Sequence, residues 1–251
     1  MNATELIRKM LPRGVHPHRI LAGPLRGHLL TTSWHDYSAA ILGRAEPELI
    51  AWFQSNAQPG DTWLDVGANY GYTSLALCNR VGAQGRVFAF EPLLRTAGHL
   101  ATTRSVNRLD QLTVVPMALS DVTDISAIQV PIWKSMAQPA GPGTHVELDA
   151  GIKEIIYCVA LDTLWSRLCG GEETISGIKI DVEGAEMAVL RGMKTVLLKH
   201  KPKLVIEVHR SRGVHLEEVT REVANAGYTP TAHLIGQNGR EDPNYEFRPR
   251  S

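Results

Sequence analysis

The sequence predicts an α/β fold with a mostly parallel sheet and helices on both faces. Three observations predict it. From residue 62 onward, short apolar runs of strand length alternate with helical patterns, the rhythm of βαβ units. The first of these strands runs into a turn carrying Gly67 and Gly71, which opens a helix. Acids recur at the strand ends: Asp65, Glu91, Asp181 and Glu207. In open α/β sheets, ligands bind beyond the carboxyl ends of the strands, so acids there have a use.

The elements follow in order. Residues 46–55 (EPELIAWFQS) read as a helix with Pro47 in its first turn. Gln58-Pro59-Gly60-Asp61 is a turn. TWLDV at Thr62–Val66 is a strand, and 70–81 a helix. Strand 86–91, helix 93–107 and strand 112–117 continue the pattern. Residues 128–133 and 154–159 are strand-like. Between them, 134–152 is rich in Gly and Pro and aperiodic, as lids and binding loops are. A short helix at Leu161–Leu168 precedes strand 176–182. Residues 185–199 carry Val189, Leu190, Met193, Val196 and Leu197 at helical spacing, which predicts one helix. Strand 203–209, helix 214–226 and a last strand at Tyr228–Ile235 follow, with 245–247 pairing beside it.

Composition excludes several classes. The 251 residues are 43% hydrophobic and 21% charged, as in a globular domain. Lys plus Arg and Asp plus Glu both number 26, so no basic surplus points to nucleic acid. The three cysteines, Cys78, Cys158 and Cys169, are too few and scattered for a disulfide framework or zinc site. No stretch approaches the roughly 18 apolar residues of a membrane helix, and no signal-peptide core precedes Pro12. A soluble, cytoplasmic protein is expected, and homo-oligomerisation stays open.

The glycine loop points to a cofactor. A dinucleotide fingerprint needs G-x-G-x-x-G; here Gly67 is followed by Ala68 and Asn69, so the second glycine is missing. The spacing is D-x-G-x-x-x-G, with Gly67 for a tight turn and Gly71 for close approach of a ligand. No phosphate-binding lysine follows. Glu91 closes the second strand, where a carboxylate accepts hydrogen bonds from vicinal ribose hydroxyls. A ribose-binding acid without phosphate features suits S-adenosylmethionine. An NAD enzyme is opposed by the missing glycine.

These residues resemble a family. Asp65-Val66-Gly67-Ala68-Asn69-Tyr70-Gly71, Phe90-Glu91-Pro92, Leu161-Asp162-Thr163-Leu164, the block Ile178-Lys179-Ile180-Asp181-Val182-Glu183-Gly184-Ala185-Glu186, and Glu207-Val208-His209 look like the FkbM family of S-adenosylmethionine-dependent methyltransferases. The resemblance spans about residues 42–235. It implies the class I methyltransferase fold, a Rossmann-like, seven-stranded, mostly parallel sheet with one antiparallel strand near its edge. It implies O-methylation of a small-molecule or glycoside hydroxyl, as in glycan or secondary-metabolite biosynthesis. Residues 1–41 are then an N-terminal extension packing on the core, and 42–251 the methyltransferase domain, with a lid or substrate loop near 134–152.

The resemblance also implies roles. Asp65, Gly67, Asn69 and Gly71 would hold the methionine part of the cofactor and Glu91 its ribose. Ala118 and Ser120 would line the adenine pocket, and Asp181 would lie near the cofactor. Asn107 is either a cofactor contact or a helix C-cap. Asp181, Glu207 and His209 are the candidate catalytic residues; His209, titrating near neutrality when unperturbed, suits a general base. Glu183 and His145 are candidate substrate contacts, although Glu183 and Glu186 also suit a helix N-terminus. No metal is favoured, but Asp181, Glu207 and His209 could hold Mg²⁺ in a catechol- or sugar-type enzyme. A non-catalytic S-adenosylmethionine-binding or assembly protein is a further alternative, and a nucleic-acid or protein methyltransferase is disfavoured by the charge balance.

Overall fold

The structure, a computed structural model, describes residues 11–131, 138–139, 151–168, 173–236 and 241–250. Its centre is a sheet of seven strands in the order β12-β13-β11-β10-β3-β4-β5. β3 is Thr62–Val66, β4 Arg86–Phe90, β5 Leu112–Val115, β10 Gly177–Ile180 and β11 Lys203–Glu207. These five run parallel. β13 (Asn244–Pro249) is antiparallel both to β11 and to β12 (Tyr228–Ile235). The class I methyltransferase arrangement is thus present, with its one reversed strand next to the edge.

Alternation along β3 divides the core. Leu64 and Val66 join the apolar cluster of Phe88, Phe90, Ile178, Ile180, Leu204 and Ile206 on one face. Trp63 joins Val87, Ala89 and Val205 on the other, under α2 (Pro47–Asn56) and α3 (Tyr72–Val81). Asp65 shares the phase of Trp63, so its carboxylate enters this second face beside α3.

Two departures have plain causes. After α5 (Leu161–Leu168), the predicted helix over 185–199 is two helices, α6 (Glu186–Arg191) and α7 (Lys194–His200). At the break, a Cβ on Gly192 would lie 1.7 Å from the Ser120 carbonyl oxygen, so only glycine lets the chains meet there. The stretch read as aperiodic, 134–152, lies largely outside the described residues. Its described ends are strand: β8 (Gln138–Pro139) pairs with β7 (Asp124–Pro131), and β9 (Gly151–Val159) begins at Gly151. β7 and β9 form a hairpin that, with β6 (Ala118–Leu119) and β8, makes a second, four-stranded sheet.

Ahead of the main sheet, β1 (His16–Arg19) and β2 (Leu29–Thr32) form a hairpin, followed by α1 (Trp34–Ile41). Ile20, Leu25 and Leu30 are buried in the same cluster as Trp63. The hairpin is fastened to α4 (Leu94–Asn107): the Thr103 hydroxyl accepts from Thr31 N, and Asn107 brackets Leu29.

Candidate active site

The loop after β3 is shaped by protein contacts at both glycines. Gly67 has φ 78°, and a Cβ there would lie 1.7 Å from the backbone oxygen of Asp181. Gly71 has φ 90°, and its Cβ would lie 2.2 Å from Leu100 Cδ1. The left-handed backbone at Gly71 by itself asks for glycine, and Leu100 of α4 packs close beside it. Between them Asn69 is also left-handed, at φ 49°.

Glu91 is the hinge of this loop. Its Oε2 accepts from Asn69 N at 3.0 Å and its Oε1 from Leu93 N at 3.0 Å. Burial pushes its carboxyl up to about 7, against the pull of these two amides. Each oxygen retains acceptor capacity. Asn69 Oδ1 is buried with no hydrogen-bond partner among the described residues. An orphaned acceptor beside a strand-end carboxylate fits a ligand with amino and hydroxyl donors, as S-adenosylmethionine is.

Asp65 stands behind the loop. It is fully buried; Oδ2 accepts from the Thr73 and Ser74 hydroxyls at 2.8 and 2.6 Å, and Oδ1 lies 3.1 Å from Lys179 Nζ. Lys179 is its register neighbour on β10. Its ammonium also donates to the Gly67 carbonyl at 2.9 Å and lies 3.3 Å from Asp181 Oδ2. Burial works against this charge, yet Asp181 and Asp65 hold its pKa well above the ordinary value. The pair makes a buried brace under the loop. Asp65, expected to contact the cofactor directly or through water, has its Oδ2 taken by two hydroxyls, while its Oδ1 faces the Lys179 ammonium and accepts no hydrogen bond among the described residues.

One further expectation for the cofactor site is corrected. Asn107 Oδ1 accepts from Leu29 N at 2.9 Å, while Nδ2 donates to the Leu29 and Thr103 carbonyls at 2.6 and 2.7 Å. Its amide is used up joining helix to hairpin. Ser120, expected at the adenine pocket, donates its N–H to the Val159 carbonyl and packs its own carbonyl on Gly192. Ala118 differs: it packs on the small cluster of Leu93, Ile128 and Ile156, just beyond Glu91.

At the ends of β10 and β11 the acids and His209 converge. His209 is 3% exposed. Its Nδ1 donates to Glu186 Oε1 at 2.5 Å, and Nε2 lies 3.6 Å from Asp181 Oδ1 and 3.9 Å from Glu183 Oε2. Burial opposes a charge on the ring, but Glu186, Asp181 and Glu207 outweigh it and raise the pKa to about 9. The ring is therefore charged at neutral pH, which corrects the expectation of a free base titrating near neutrality. Burial, then Asp181 and Glu46, raise Glu207 to about 9.

Glu183 does not arrive by strand alternation, because β10 ends at Ile180. A turn with Glu183 at φ 53° and Gly184 at φ 107° brings it round. In consequence the group whose ligand atoms lie within 4.8 Å of one another, among the described residues, is Asp181, Glu183 and His209; Glu207, named only in the alternative metal reading, is not among them. His145 lies outside the described residues.

Sequence reasoning missed three participants. Glu186 is fully buried as the partner of His209, 23 residues away, and no sequence signal joins them. Tyr37 and Glu46 come from the N-terminal segment; the Tyr37 hydroxyl is held well above its usual pKa by burial, with Glu46, Asp181 and Glu207 among its charged surroundings. Among the described residues no helix is long and apolar enough to cross a membrane.

Comparison with known proteins agrees with this geometry. Residues 65–230 match the model of the methyltransferase FkbM domain. The chain is 31% identical to the hexuronic acid methyltransferase AglP of Haloferax volcanii over 193 residues, 73% of this chain and 70% of that protein. Its fold is similar to the crystal structure of methyltransferase FkbM from Methylobacillus flagellatus KT, with TM-score 0.51 and 17% identity over 84% of this chain. The chain spans about half of that protein, 52% of its length. It belongs to the FkbM family of S-adenosylmethionine-dependent methyltransferases.

Proposed function

We propose that the protein transfers a methyl group from S-adenosylmethionine to an oxygen of a sugar or other small glycoside. The observation that carries this reading is the position of Asp181. Its backbone oxygen fills the space beside Gly67, while its side chain spans Lys179 and His209. One residue thus borders both the cofactor loop and the acidic cluster at the ends of β10 and β11.

In this reading Glu91 receives the ribose hydroxyls, Asn69 Oδ1 accepts from the cofactor, and Ala118 borders the adenine. The acceptor lies over Asp181, Glu183, Glu207 and His209. Bound S-adenosylmethionine supplies a methyl group already activated on a sulfonium. The protein's task is then alignment for in-line displacement, the largest available gain being proximity. Asp181 takes the proton of an attacking hydroxyl, and charged His209 orients the acceptor as a hydrogen-bond donor.

AglP is a hexuronic acid methyltransferase, which supports a glycan acceptor. A second reading follows from the charge on His209 and the raised Glu207. Neither is a ready base at neutral pH, and a hexuronate carboxylate needs none as acceptor. Incubation of labelled S-adenosylmethionine with neutral glycosides and hexuronosides, with product mass spectrometry, separates the two. A hydroxyl yields an alkali-stable ether and a carboxylate an alkali-labile ester. Absence of transfer to every sugar acceptor would overturn both.

A further inference from the structure

We propose that Asp181, Glu183 and His209 form a divalent-cation site at the acceptor end of the sheet, with Glu186 orienting the histidine. Oxygen and nitrogen ligands of a Mg²⁺- or Mn²⁺-sized ion at about 2.1–2.3 Å lie about 3–4.5 Å from one another. Nε2 of His209 is 3.6 Å from Asp181 Oδ1 and 3.9 Å from Glu183 Oε2, and the three ligand atoms fall within 4.8 Å of one another. The spacing is too wide for hydrogen bonds and suits an ion between them.

The second observation is the histidine. Its side chain is 4% exposed, and Nε2 makes no hydrogen bond among the described residues. It faces only the two carboxylates, Asp181 and Glu183, at ion-pair distance. Nδ1 donates to Glu186, and a carboxylate behind a histidine in this way orients the ring; an ion bound at Nε2 displaces the proton that the charged ring of the ion-free protein carries there. Glu186 is fully buried, and its Oε2 has no hydrogen-bond partner. The first shell remains open on the outer side, where the Asp181 and Glu183 side chains are 30% and 28% exposed.

Cations already present do not fill this place. Lys179 lies on the Asp65 side of Asp181, and Arg212 reaches Glu183 Oε2 at 3.5 Å from the outside. The ion's role as a clamp for two acceptor oxygens, a sugar diol or a uronate carboxylate, rests on the function proposed above and takes over the orienting part given there to the His209 N–H. It would explain how an acid-rich sheet end takes an anionic sugar.

The test uses the full chain, stripped with chelator and titrated with Mn²⁺ alone, bound ion being read by loss of the free-Mn²⁺ electron paramagnetic signal. The wild type is expected to bind one ion. Glu183→Gln should bind at least tenfold more weakly, and Glu207→Gln within threefold of wild type. Glu183 is partly exposed, so circular dichroism should show its variant folded. No Mn²⁺ bound by the wild type at millimolar concentration, or equal binding by Glu183→Gln, overturns the site. S-adenosylmethionine calorimetry on the same samples keeps the outcomes apart: lost cofactor binding with intact Mn²⁺ binding counts against the proposed function, and the reverse against the cation site.

Discussion

The carbonyl oxygen of Asp181 occupies the space that a side chain at Gly67 would need, 1.7 Å from an ideal Cβ. The two chain segments that follow β3 and β10 are therefore in direct backbone contact. Anything that moves the cofactor loop moves the first residue of the acidic cluster, and the Lys179 ammonium bonded to Gly67 O and facing Asp181 locks the same junction from below.

Glu91 sets a pH dependence on cofactor binding. Its carboxyl is raised to about 7, so it is largely neutral below that pH and ionised above it. Ribose hydroxyls donate to the ionised form, so binding below pH 7 must release a proton. Calorimetric affinity for S-adenosylmethionine should rise with pH by up to about tenfold per unit below 7 and level off above it. Glu91→Gln should flatten the profile and weaken binding at pH 8 by about 10–100-fold, the worth of hydrogen bonds to a charged group.

Lys179 tests the buried brace. Removing it leaves the Asp65 carboxylate buried without its counter-charge. Lys179→Met should lower the unfolding free energy in urea by about 3–5 kcal/mol. Adding Asp65→Asn should recover part of that loss. A double variant no more stable than Lys179→Met alone would contradict the pairing.

Asn107 should matter for stability and not for cofactor. Asn107→Ala removes hydrogen bonds to Leu29 N, Leu29 O and Thr103 O. Urea denaturation should show a loss of about 1–3 kcal/mol, with S-adenosylmethionine affinity within threefold of wild type.

Glu186 should behave as a positioning residue. Glu186→Gln keeps the shape and weakens the bond that orients His209. Methyl transfer should fall about 10–100-fold, as when a carboxylate behind a functional histidine is changed. The fall should lie in kcat and the acceptor KM, with cofactor affinity unchanged.

What the sequence disclosed follows the range of its signals. Thr62–Val66, Leu161–Leu168 and Tyr228–Ile235 are found at their predicted bounds, because a strand or helix with its own periodicity and turn residues declares itself locally. The strand-end acids were visible for the same reason: charge inside a buried strand pattern is conspicuous. The break at Gly192 was not: the glycine there is required by the Ser120 carbonyl, 72 residues away, and no local pattern declares that contact. The short hairpin His16–Arg19 and Leu29–Thr32 was missed because its strands have four residues each and lean on α4 for support. Partners chosen by tertiary contact, such as Glu186 for His209 and Leu29 for Asn107, leave no spacing in the chain to read.

The most direct test is Asp181→Asn, assayed for S-adenosylmethionine binding by calorimetry and for labelled-methyl transfer to a sugar acceptor. The backbone contact with Gly67 survives this substitution, while the negative charge facing Lys179 and His209 does not. Cofactor affinity should stay within about threefold, and transfer should fall at least about 100-fold, the lower end of what a positioned base contributes. Undiminished transfer would contradict the account.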